Sequence, residues 1–318
     1  QGSSTDVERI DYSNDTATAL TRGKRSINPS NAYPASISGV SNPTYAYFGG
    51  GDPASTHVDR IEFSNDTPTA SPKGNLATAR KSPYSFSAQN SGLPSTTYIP
   101  RIRWFDIKEE ADAIPGTSAG NQYGYFAGGT SAQSKVDRID FDNDTATASP
   151  RGNMVQTHYR GGGTGNQNSG YCFGGGGQSW VSRVDYASDT VAVPARGPLY
   201  TPADYCSSIG NNDFGYTGGR PWSYTYYLGK VDYSNDTETE TLLGTNRFGP
   251  SPSSYGYAGV GNRSYGYFAG GSGSTLVRRI DYSSDTDVAS IKGPLTATSS
   301  YASGTGNANY GYVTVGPW

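Results

Sequence analysis

The sequence is short of the residue types that catalytic and metal sites use most. Its 318 residues include one methionine, two cysteines and two histidines. The histidines, His57 and His158, have no recurrent acid or nucleophile around them, whereas a metal site or a catalytic triad needs several convergent groups. We therefore predict that the protein is not an enzyme and that it uses no metal and no cofactor.

An excess of positive charge and long apolar stretches are also missing. The formal net charge is -3 and no run of lysine or arginine occurs, which argues against DNA or RNA as a partner. No apolar stretch approaches the roughly 18 residues that a membrane-spanning helix needs, so we expect no membrane insertion. The two cysteines, Cys172 and Cys206, are too few for a disulfide framework in so long a chain, and we expect both to be free and buried.

Glycine and tyrosine, by contrast, are abundant, with 43 and 26 residues, which is typical of a β-rich, turn-rich protein. One phrase occurs six times, as RIDYSNDT, RIEFSNDT, RIDFDNDT, RVDYASDT, KVDYSNDT and RIDYSSDT. The first acids of the six copies are separated by 51, 78, 45, 47 and 49 residues. Four of these spacings match the blade repeat of a β-propeller, and the longest indicates an insertion of about 28 residues.

A second phrase, such as YGYFAGG at residue 123, precedes each later copy, and its last occurrence, YGYVTVG at 310, has its continuation at the other end of the chain. The sequence therefore predicts an all-β, six-bladed propeller with four antiparallel strands per blade. One blade would be closed by pairing between N-terminal and C-terminal strands. We expect one domain, residues 1–318, with the insertion at about 88–115. The glycine runs GGGTGN at 161 and GGGG at 174 are predicted to be blade turns, because no helical pattern follows them.

Each copy of the first phrase carries a basic residue two positions before an acid. Residues two apart on a strand share a face, so we predict ion pairs between blades or charge-assisted bonds to neighbouring backbone. These structural pairs are Arg9 and Asp11, Arg60 and Glu62, Arg138 and Asp140, Arg183 and Asp185, Lys230 and Asp232, and Arg279 and Asp281. The SNDT letters are interpreted as a hairpin turn into the fourth strand. The alternating acids Asp140, Asp142 and Asp144 are likewise interpreted as turn residues, although calcium binding is the alternative.

The order of an aromatic strand, Gly-Gly, a variable loop, V-x-x-I-D-Y and a turn resembles the kelch motif of β-propellers, without the Trp that the motif has on its fourth strand. The narrower wording, of the type YGYFAGG followed by VDRIDYSNDTATASPKG, resembles repeats in virion structural and tail-fibre proteins of marine bacteriophages, particularly those of cyanobacteria. The resemblance covers nearly the whole chain and includes no catalytic residue. It implies a location on the virion surface, with other virion proteins or a host-surface glycan or receptor as partners.

Function is expected where the copies differ, in the loops that follow each Gly-Gly. Alternating strand directions would place these loops on one face of the disk, where aromatic side chains could stack on sugar rings or a protein partner, or else cover blade edges. The candidate ligand-binding residues are Trp180, Trp222, Tyr224, Tyr226, Tyr227 and Trp318.

The insertion at about 88–115 would project from the opposite face, because it lies between a first and a second strand. It contains Arg101, Arg103, Trp104 and Phe105. This mixture of charge and aromatic surface is common at protein interfaces, which makes these residues candidates for partner binding. The alternative is a surface flap without a partner.

These observations favour a non-enzymatic module of a phage particle, a tail fibre or a surface decoration that attaches to a host receptor or glycan. Two alternatives remain. One is a secreted bacterial or environmental lectin-like propeller that binds glycans outside the cell. The other is a protein-interaction scaffold.

Overall fold

The structure, a computed structural model, describes residues 5–26, 33–87, 122–129, 133–219, 227–245 and 256–315. It confirms the predicted fold class, an all-β, six-bladed propeller of antiparallel sheets. The first strands of the blades contact one another around the axis, and the fourth strands lie at the outside. The insertion at about 88–115 lies outside the described residues, between the first and second strands of blade 3.

The blades follow one another in chain order. Blade 1 has β1 (Asp6–Asp11) and β2 (Leu20–Lys24) as its third and fourth strands. Blade 2 contains β3 (Tyr33–Ser41), β4 (Tyr45–Asp52), β5 (Val58–Glu62) and β6 (Ser71–Pro72). Blade 3 contains β7 (Tyr84–Ser87), β8 (Tyr123–Ala127), β9 (Val136–Asp140) and β10 (Ser149–Pro150).

Blade 4 contains β11 (Gly162–Gly165), β12 (Ser169–Phe173) and β13 (Val181–Asp185), and a bridge between Ser182 and Ala195 occupies the place of its fourth strand. Blade 5 contains β14 (Ser207–Gly210), β15 (Phe214–Gly218), β16 (Tyr227–Asp232) and β17 (Thr241–Thr245). Blade 6 contains β18 (Ala258–Gly261), β19 (Tyr265–Ala269), β20 (Val277–Asp281) and β21 (Ser290–Lys292). The last two strands, β22 (Gly304–Gly306) and β23 (Tyr310–Thr314), are the first and second strands of blade 1.

The two ends of the chain share blade 1, as predicted. Strand β23 pairs with β1 in a continuous register that runs from Val7 opposite Thr314 to Asp11 opposite Tyr310. Backbone hydrogen bonds therefore close the ring, and no open sheet edge is left between the first and last blades.

Glycine allows the first strands to converge on the axis. A Cβ atom at Gly163 would lie 2.4 Å from the carbonyl oxygen of Ser85, and one at Gly259 would lie 2.1 Å from that of Ser208. Both distances are shorter than van der Waals contact. The run GGGTGN is thus the innermost strand of blade 4, and its prediction as a turn was wrong, because crowding at the axis also selects glycine. The run GGGG at 174 is a turn, with φ between 59° and 93° at all four residues.

Neighbouring blades are joined by a repeated contact, which we call the clamp. At the junction of blades 2 and 3, the carboxylate of Asp144 accepts a hydrogen bond from the Tyr47 hydroxyl at 2.9 Å and one from Arg60 Nη1 at 2.7 Å. The six clamp acids, starting from the junction of blades 1 and 2, are Asp66, Asp144, Asp189, Asp236, Asp285 and Asp15. Burial, together with the adjoining carboxylate, raises the pKa of all six clamp tyrosines, so they remain protonated donors.

The clamp explains why both repeated phrases contain aromatic residues. In blade 2, the Arg60 guanidinium lies 4.1 Å from the centre of the Tyr45 ring. Phe141, which follows the acid of the next copy, stacks on Tyr47 with ring centres 4.9 Å apart. The glycine between the two tyrosines of YGY leaves room for that ring, because a Cβ at Gly124 would lie 2.8 Å from Phe141. Each phrase therefore encodes contacts between blades.

The two members of each predicted basic–acidic pair have different partners. The base reaches the clamp acid of the next blade, as Arg9 does with Asp66 at 2.7 Å. The acid two positions later stays within its own turn, where Asp11 accepts a hydrogen bond from the backbone N–H of Ser13 at 2.9 Å. Hydrogen bonds from Ser13 also lower the pKa of Asp11. Ion pairs between blades do form, but their acid is the Asp of SNDT, because the earlier carboxylate caps the short 3-10 turn.

Within the part of the chain that the structure describes, the junction of blades 5 and 6 has fewer clamp contacts than the others. At the other junctions a second cation approaches the clamp acid, for example Arg196 at 3.2 Å from Asp236, and a glycine N–H donates to the backbone carbonyl of that acid, for example Gly197 at 2.8 Å. Among the described residues, Asp285 has neither contact and is held by Tyr216 and Lys230. Its side chain is 12% exposed, compared with 7% for Asp236.

Candidate functional site

A ring of left-handed residues surrounds one end of the axial channel. One such residue stands before the first strand in each of five blades, and in blade 2 it lies within the first strand, at Ser36; φ at these six residues is between 49° and 70°. The six residues, which we call the mouth ring, are Ser36, Ser82, Arg160, Tyr205, Gly256 and Tyr301, and all of them line one cavity of about 100 Å³. Left-handed backbone costs a non-glycine residue about 1–3 kcal/mol. Five non-glycine residues kept in this conformation at one place make the ring a candidate functional site.

Backbone hydrogen bonds hold the mouth ring in position. The N–H of Ser82 donates to the carbonyl of Ser36 at 2.7 Å, and the N–H of Gly256 donates to that of Tyr205 at 3.1 Å. The carbonyl of Gly256 in turn accepts from the N–H of Ala302 at 2.9 Å. The backbone is therefore repeated from blade to blade while the side chains differ.

The side chains of blades 4, 5 and 1 form one side of the cavity, which we call the mouth wall: Arg160, Tyr205 and Tyr301. The Arg160 guanidinium lies 4.6 Å from the centre of the Tyr205 ring, and the Tyr205 and Tyr301 ring centres are 4.8 Å apart. Gly256 stands between the two tyrosines in the ring, and a Cβ there would lie 2.9 Å from the backbone nitrogen of Tyr301. The missing side chain allows the tyrosines to meet. The opposite side of the cavity is formed by the serines of blades 2 and 3.

The glycine-rich turn at 174–177 supports Arg160 from outside the ring. A Cβ at Gly176 would lie 2.6 Å from the ring of Tyr159, so the turn packs directly on this ring. Arg160 lies 5.3 Å from the centre of the same ring. The carboxylate of Asp204 accepts hydrogen bonds from the N–H groups of Gly176 at 3.2 Å and Tyr205 at 3.1 Å, and it thereby connects the turn to the mouth wall.

The mouth is on the face that the sequence predicts for the variable loops. The backbone of these loops bonds to the segment just before the ring residues, as Gly175 does with the carbonyl of Ala203 at 2.9 Å and Gly273 with that of Ser299 at 3.1 Å. Loops and ring thus belong to one surface.

Two of the predicted ligand-binding residues are in the described part of the chain. Trp180 is half-buried and meets the ring of His158 edge-on, with centres 5.8 Å apart. Tyr227 is half-buried at the start of β16. The other predicted residues lie outside the described residues. They are Trp222, Tyr224, Tyr226 and Trp318 of the predicted ligand-binding set, and Arg101, Arg103, Trp104 and Phe105 of the predicted partner-binding set.

His158 is a buried structural residue. Its Nδ1 lies 3.2 Å from the carbonyl oxygen of Gly174, and its Nε2 lies 3.0 Å from the hydroxyl of Ser182. Because a carbonyl only accepts, Nδ1 carries the proton and Nε2 accepts from Ser182. Burial lowers the pKa of His158. The imidazole therefore stays neutral and joins neighbouring segments of blade 4.

The second histidine lies in a cluster that sequence reasoning missed. His57 Nε2 is 2.9 Å from the Ser26 hydroxyl and 2.9 Å from the carboxylate of Asp59, which also binds Arg25 at 3.1 Å. In a catalytic triad the serine and the acid contact opposite nitrogens of the imidazole. Here both groups contact the same nitrogen, so the cluster lacks the order that proton transfer along a triad requires.

The opposite end of the channel widens into a cavity of about 670 Å³ lined mostly by glycine, serine, threonine and asparagine, together with several apolar residues and the charged residues Asp213 and Arg263. The turns between first and second strands surround it. In each of five blades an asparagine oxygen accepts two backbone N–H groups of the turn, as Asn211 does from Asp213 and Phe214, each at 2.9 Å. These amide oxygens already accept hydrogen bonds within the turns. The wide end therefore offers a ligand fewer available acceptor groups than the size of the cavity suggests.

Two features are absent from the described ranges. No group of three or more His, Cys, Asp or Glu side chains there is placed to hold a metal ion. No helix in those ranges has the length and apolarity to cross a bilayer. Cys172 and Cys206 are buried and form no disulfide bond with each other, as expected.

No protein-family model matches the chain, and no curated protein matches it. The proposed function consequently depends on the residues at the mouth.

The sequence itself marks the positions of the mouth ring by their spacing from a repeated asparagine. Five members of the ring stand six positions before the asparagine that ends the first strand, and these asparagines are Asn42, Asn166, Asn211, Asn262 and Asn307. In blade 3 the insertion interrupts this spacing. Aligning the repeats on the asparagine would have identified one variable position per blade, although not its left-handed backbone.

Proposed function

We propose that the protein is a non-catalytic recognition module that binds a carbohydrate at the mouth of its axial channel. The mouth wall is the observation that supports this most. Tyr205 and Tyr301 are half-exposed at a channel end, and tyrosine offers an apolar face to a sugar ring together with a hydroxyl that can bond to it. The hydrogen-bonded backbone of the ring holds these side chains in place before a ligand arrives, which lowers the entropic cost of binding.

The amino-acid sequence of the repeats supports a location of this module in a phage particle, as a tail fibre or surface decoration whose mouth faces the host. The same binding activity would serve a secreted lectin. Sequence beyond the two ends distinguishes these settings. A trimeric fibre stalk or coiled coil would support the particle, and a secretory signal peptide would support the lectin.

A glycan array with matched tyrosine variants tests the binding function. Tyr205→Ser and Tyr301→Ser each remove one ring from the mouth wall. We expect each to weaken glycan binding by about tenfold or more, which corresponds to about 1.4 kcal/mol. Tyr200→Ser is the matched control, because Tyr200 is 56% exposed and does not line the mouth cavity, and binding should be unchanged.

Two results would contradict the proposal. If the double variant Tyr205→Ser, Tyr301→Ser still binds glycan as the native protein does, the mouth is not the binding site. Loss of binding in Trp222→Ala, with both mouth variants unaffected, would move the site to the variable loop of blade 5.

A further inference from the structure

Among the described residues, Arg160 differs from the clamp arginines in having no acidic partner. The guanidinium groups of the clamp lie 2.7–2.9 Å from a carboxylate. Within the described part of the chain, no carboxylate lies within the 4.0 Å limit of an ion pair from Arg160. Its guanidinium instead lies 5.3 Å from the centre of the Tyr159 ring and 4.6 Å from the centre of the Tyr205 ring. A positive charge is thus held at the channel mouth without being neutralised there.

Asp204, the acid nearest in sequence to the mouth wall, forms no ion pair with Arg160. Asp204 is 8% exposed, and its Oδ1 accepts from the N–H groups of Gly176 and Tyr205. It is not among the residues that line the mouth cavity, whose other members include no acidic side chain. An anion that enters the cavity would therefore meet one guanidinium and otherwise neutral groups.

The size of the cavity limits what can enter. It measures about 100 Å³. A water molecule occupies about 30 Å³ in the liquid, and sites that enclose a whole drug-sized molecule measure about 300–1,000 Å³. The mouth accordingly has room for a small group and not for an entire sugar, so the rest of a bound glycan would lie outside, against the tyrosines.

The other lining groups suit a small anion. Ser36 and Ser82 line the same cavity as Arg160 and have hydroxyl side chains. Deeper in the channel, the hydroxyl of Ser208 is buried, with the residue only 8% exposed, and it has no hydrogen-bond partner among the described residues. A buried hydroxyl without a hydrogen-bond partner destabilises the folded protein, and an acceptor oxygen bound in the cavity would remove that cost.

We infer that the mouth takes the carboxylate or sulfate group of an acidic glycan. The guanidinium of Arg160 binds the anion through charge-assisted hydrogen bonds, and the sugar ring that carries the anion lies on Tyr205 and Tyr301. This inference rests on the proposed carbohydrate function and narrows it to acidic saccharides.

Isothermal titration with three oligosaccharides tests it: tetragalacturonic acid, its fully methyl-esterified form and a sulfated galactan tetrasaccharide. The ester keeps the sugar ring and removes the charge. We expect at least one of the two anionic compounds to bind tenfold or more tightly than the ester, and the tighter of the two identifies the anion. Arg160→Gln should abolish the difference. Arg160→Lys should keep part of it, because the charge remains while the planar fork is lost.

The outcomes distinguish a failure of the acidic preference from a failure of the carbohydrate function. If the acid, the ester and the sulfated compound bind equally and Tyr205→Ser weakens all three, the carbohydrate function stands and the acidic preference is wrong. If no saccharide binds but sodium sulfate shifts the NMR signals of Tyr205 in the native protein and not in Arg160→Gln, the anion site stands and the carbohydrate function is wrong. If none of these ligands binds, both are wrong. Thermal unfolding of Arg160→Gln checks that the variant is folded.

Discussion

The clamp and the mouth ring both recur six times around the axis, yet they repeat different things. In the clamp the side chains recur, since every junction uses a tyrosine, a cation and an aspartate. In the mouth ring only the backbone conformation recurs, and the side chains are two serines, an arginine, two tyrosines and a glycine. Repetition of side chains therefore marks architecture, and repetition of the backbone alone leaves positions that can be used for recognition.

The environments of the two regions explain the contrast. Each clamp aspartate is largely buried, so loss of one partner leaves a polar or charged group without compensation. The non-glycine side chains of the mouth ring are partly exposed, and their left-handed backbone opposes stability. A change in the clamp should therefore affect folding, whereas a change in the mouth ring should affect binding.

The largest effect is expected from Asp15→Ala at the junction of blades 6 and 1. The change removes the partner of Tyr267 and Arg279, each 2.8 Å away, and should lower the free energy of unfolding by about 3 kcal/mol. Asp11→Ala, four positions earlier, is the control. It removes a turn cap and should cost about 1 kcal/mol. Urea unfolding measures both, and equal losses would refute the distinct roles of the two acids.

A smaller loss is expected from Asp285→Ala at the junction of blades 5 and 6. With fewer contacts to lose, this variant should be destabilised by about 2 kcal/mol. The backbone amides at this junction should also exchange hydrogen faster in the native protein than those at the junction of blades 6 and 1. An Asp285→Ala variant less stable than Asp15→Ala would show that the second cation and the glycine hydrogen bond contribute little.

A pH-dependent effect is expected at His158. Burial lowers the pKa of this histidine in the folded protein, so the unfolded chain, with a pKa of about 6.5, takes up the proton first. The stability that His158 contributes is fully present above about pH 6.5, and it is lost as the pH falls towards the folded pKa, by at most about 1.4 kcal/mol per pH unit. Thermal unfolding between pH 7.5 and 5 should therefore be less pH-dependent in His158→Gln. Identical pH profiles would mean that His158 is not the titrating group.

The smallest effects are expected at the mouth ring. Tyr205→Gly loses ring contacts but relieves the left-handed backbone, so the free energy of unfolding should change by less than about 1 kcal/mol. Tyr205→Ala loses the same contacts and keeps the strain, and it should be the less stable variant by about 1 kcal/mol. Denaturant unfolding compares them directly. An alanine variant as stable as the glycine variant would indicate that the ring is not strained.

Sequence reasoning succeeded where a pattern depends on local geometry. The period of the repeats predicted six blades, and the displaced phrase at 310 predicted the shared blade 1, because strand order follows directly from chain order. It predicted ion pairs between blades but did not identify the acid that takes part in them. That Arg9 binds Asp66 and not Asp11 depends on how one blade lies against the next, which spacing within a repeat does not encode. It also mistook GGGTGN for a turn, since crowding at the axis and a tight turn both select glycine.

The amino-acid order alone determined the number of blades, the strand sequence within each blade and the pairing of the two ends. These follow from period-two alternation and turn residues, which act between neighbours in the chain. Only the tertiary structure decided that Arg160, Tyr205 and Tyr301, far apart in sequence, share one wall of a channel mouth. Residues on three blades meet only once the ring has closed, and the left-handed backbone that directs them inward is imposed by hydrogen bonds between blades.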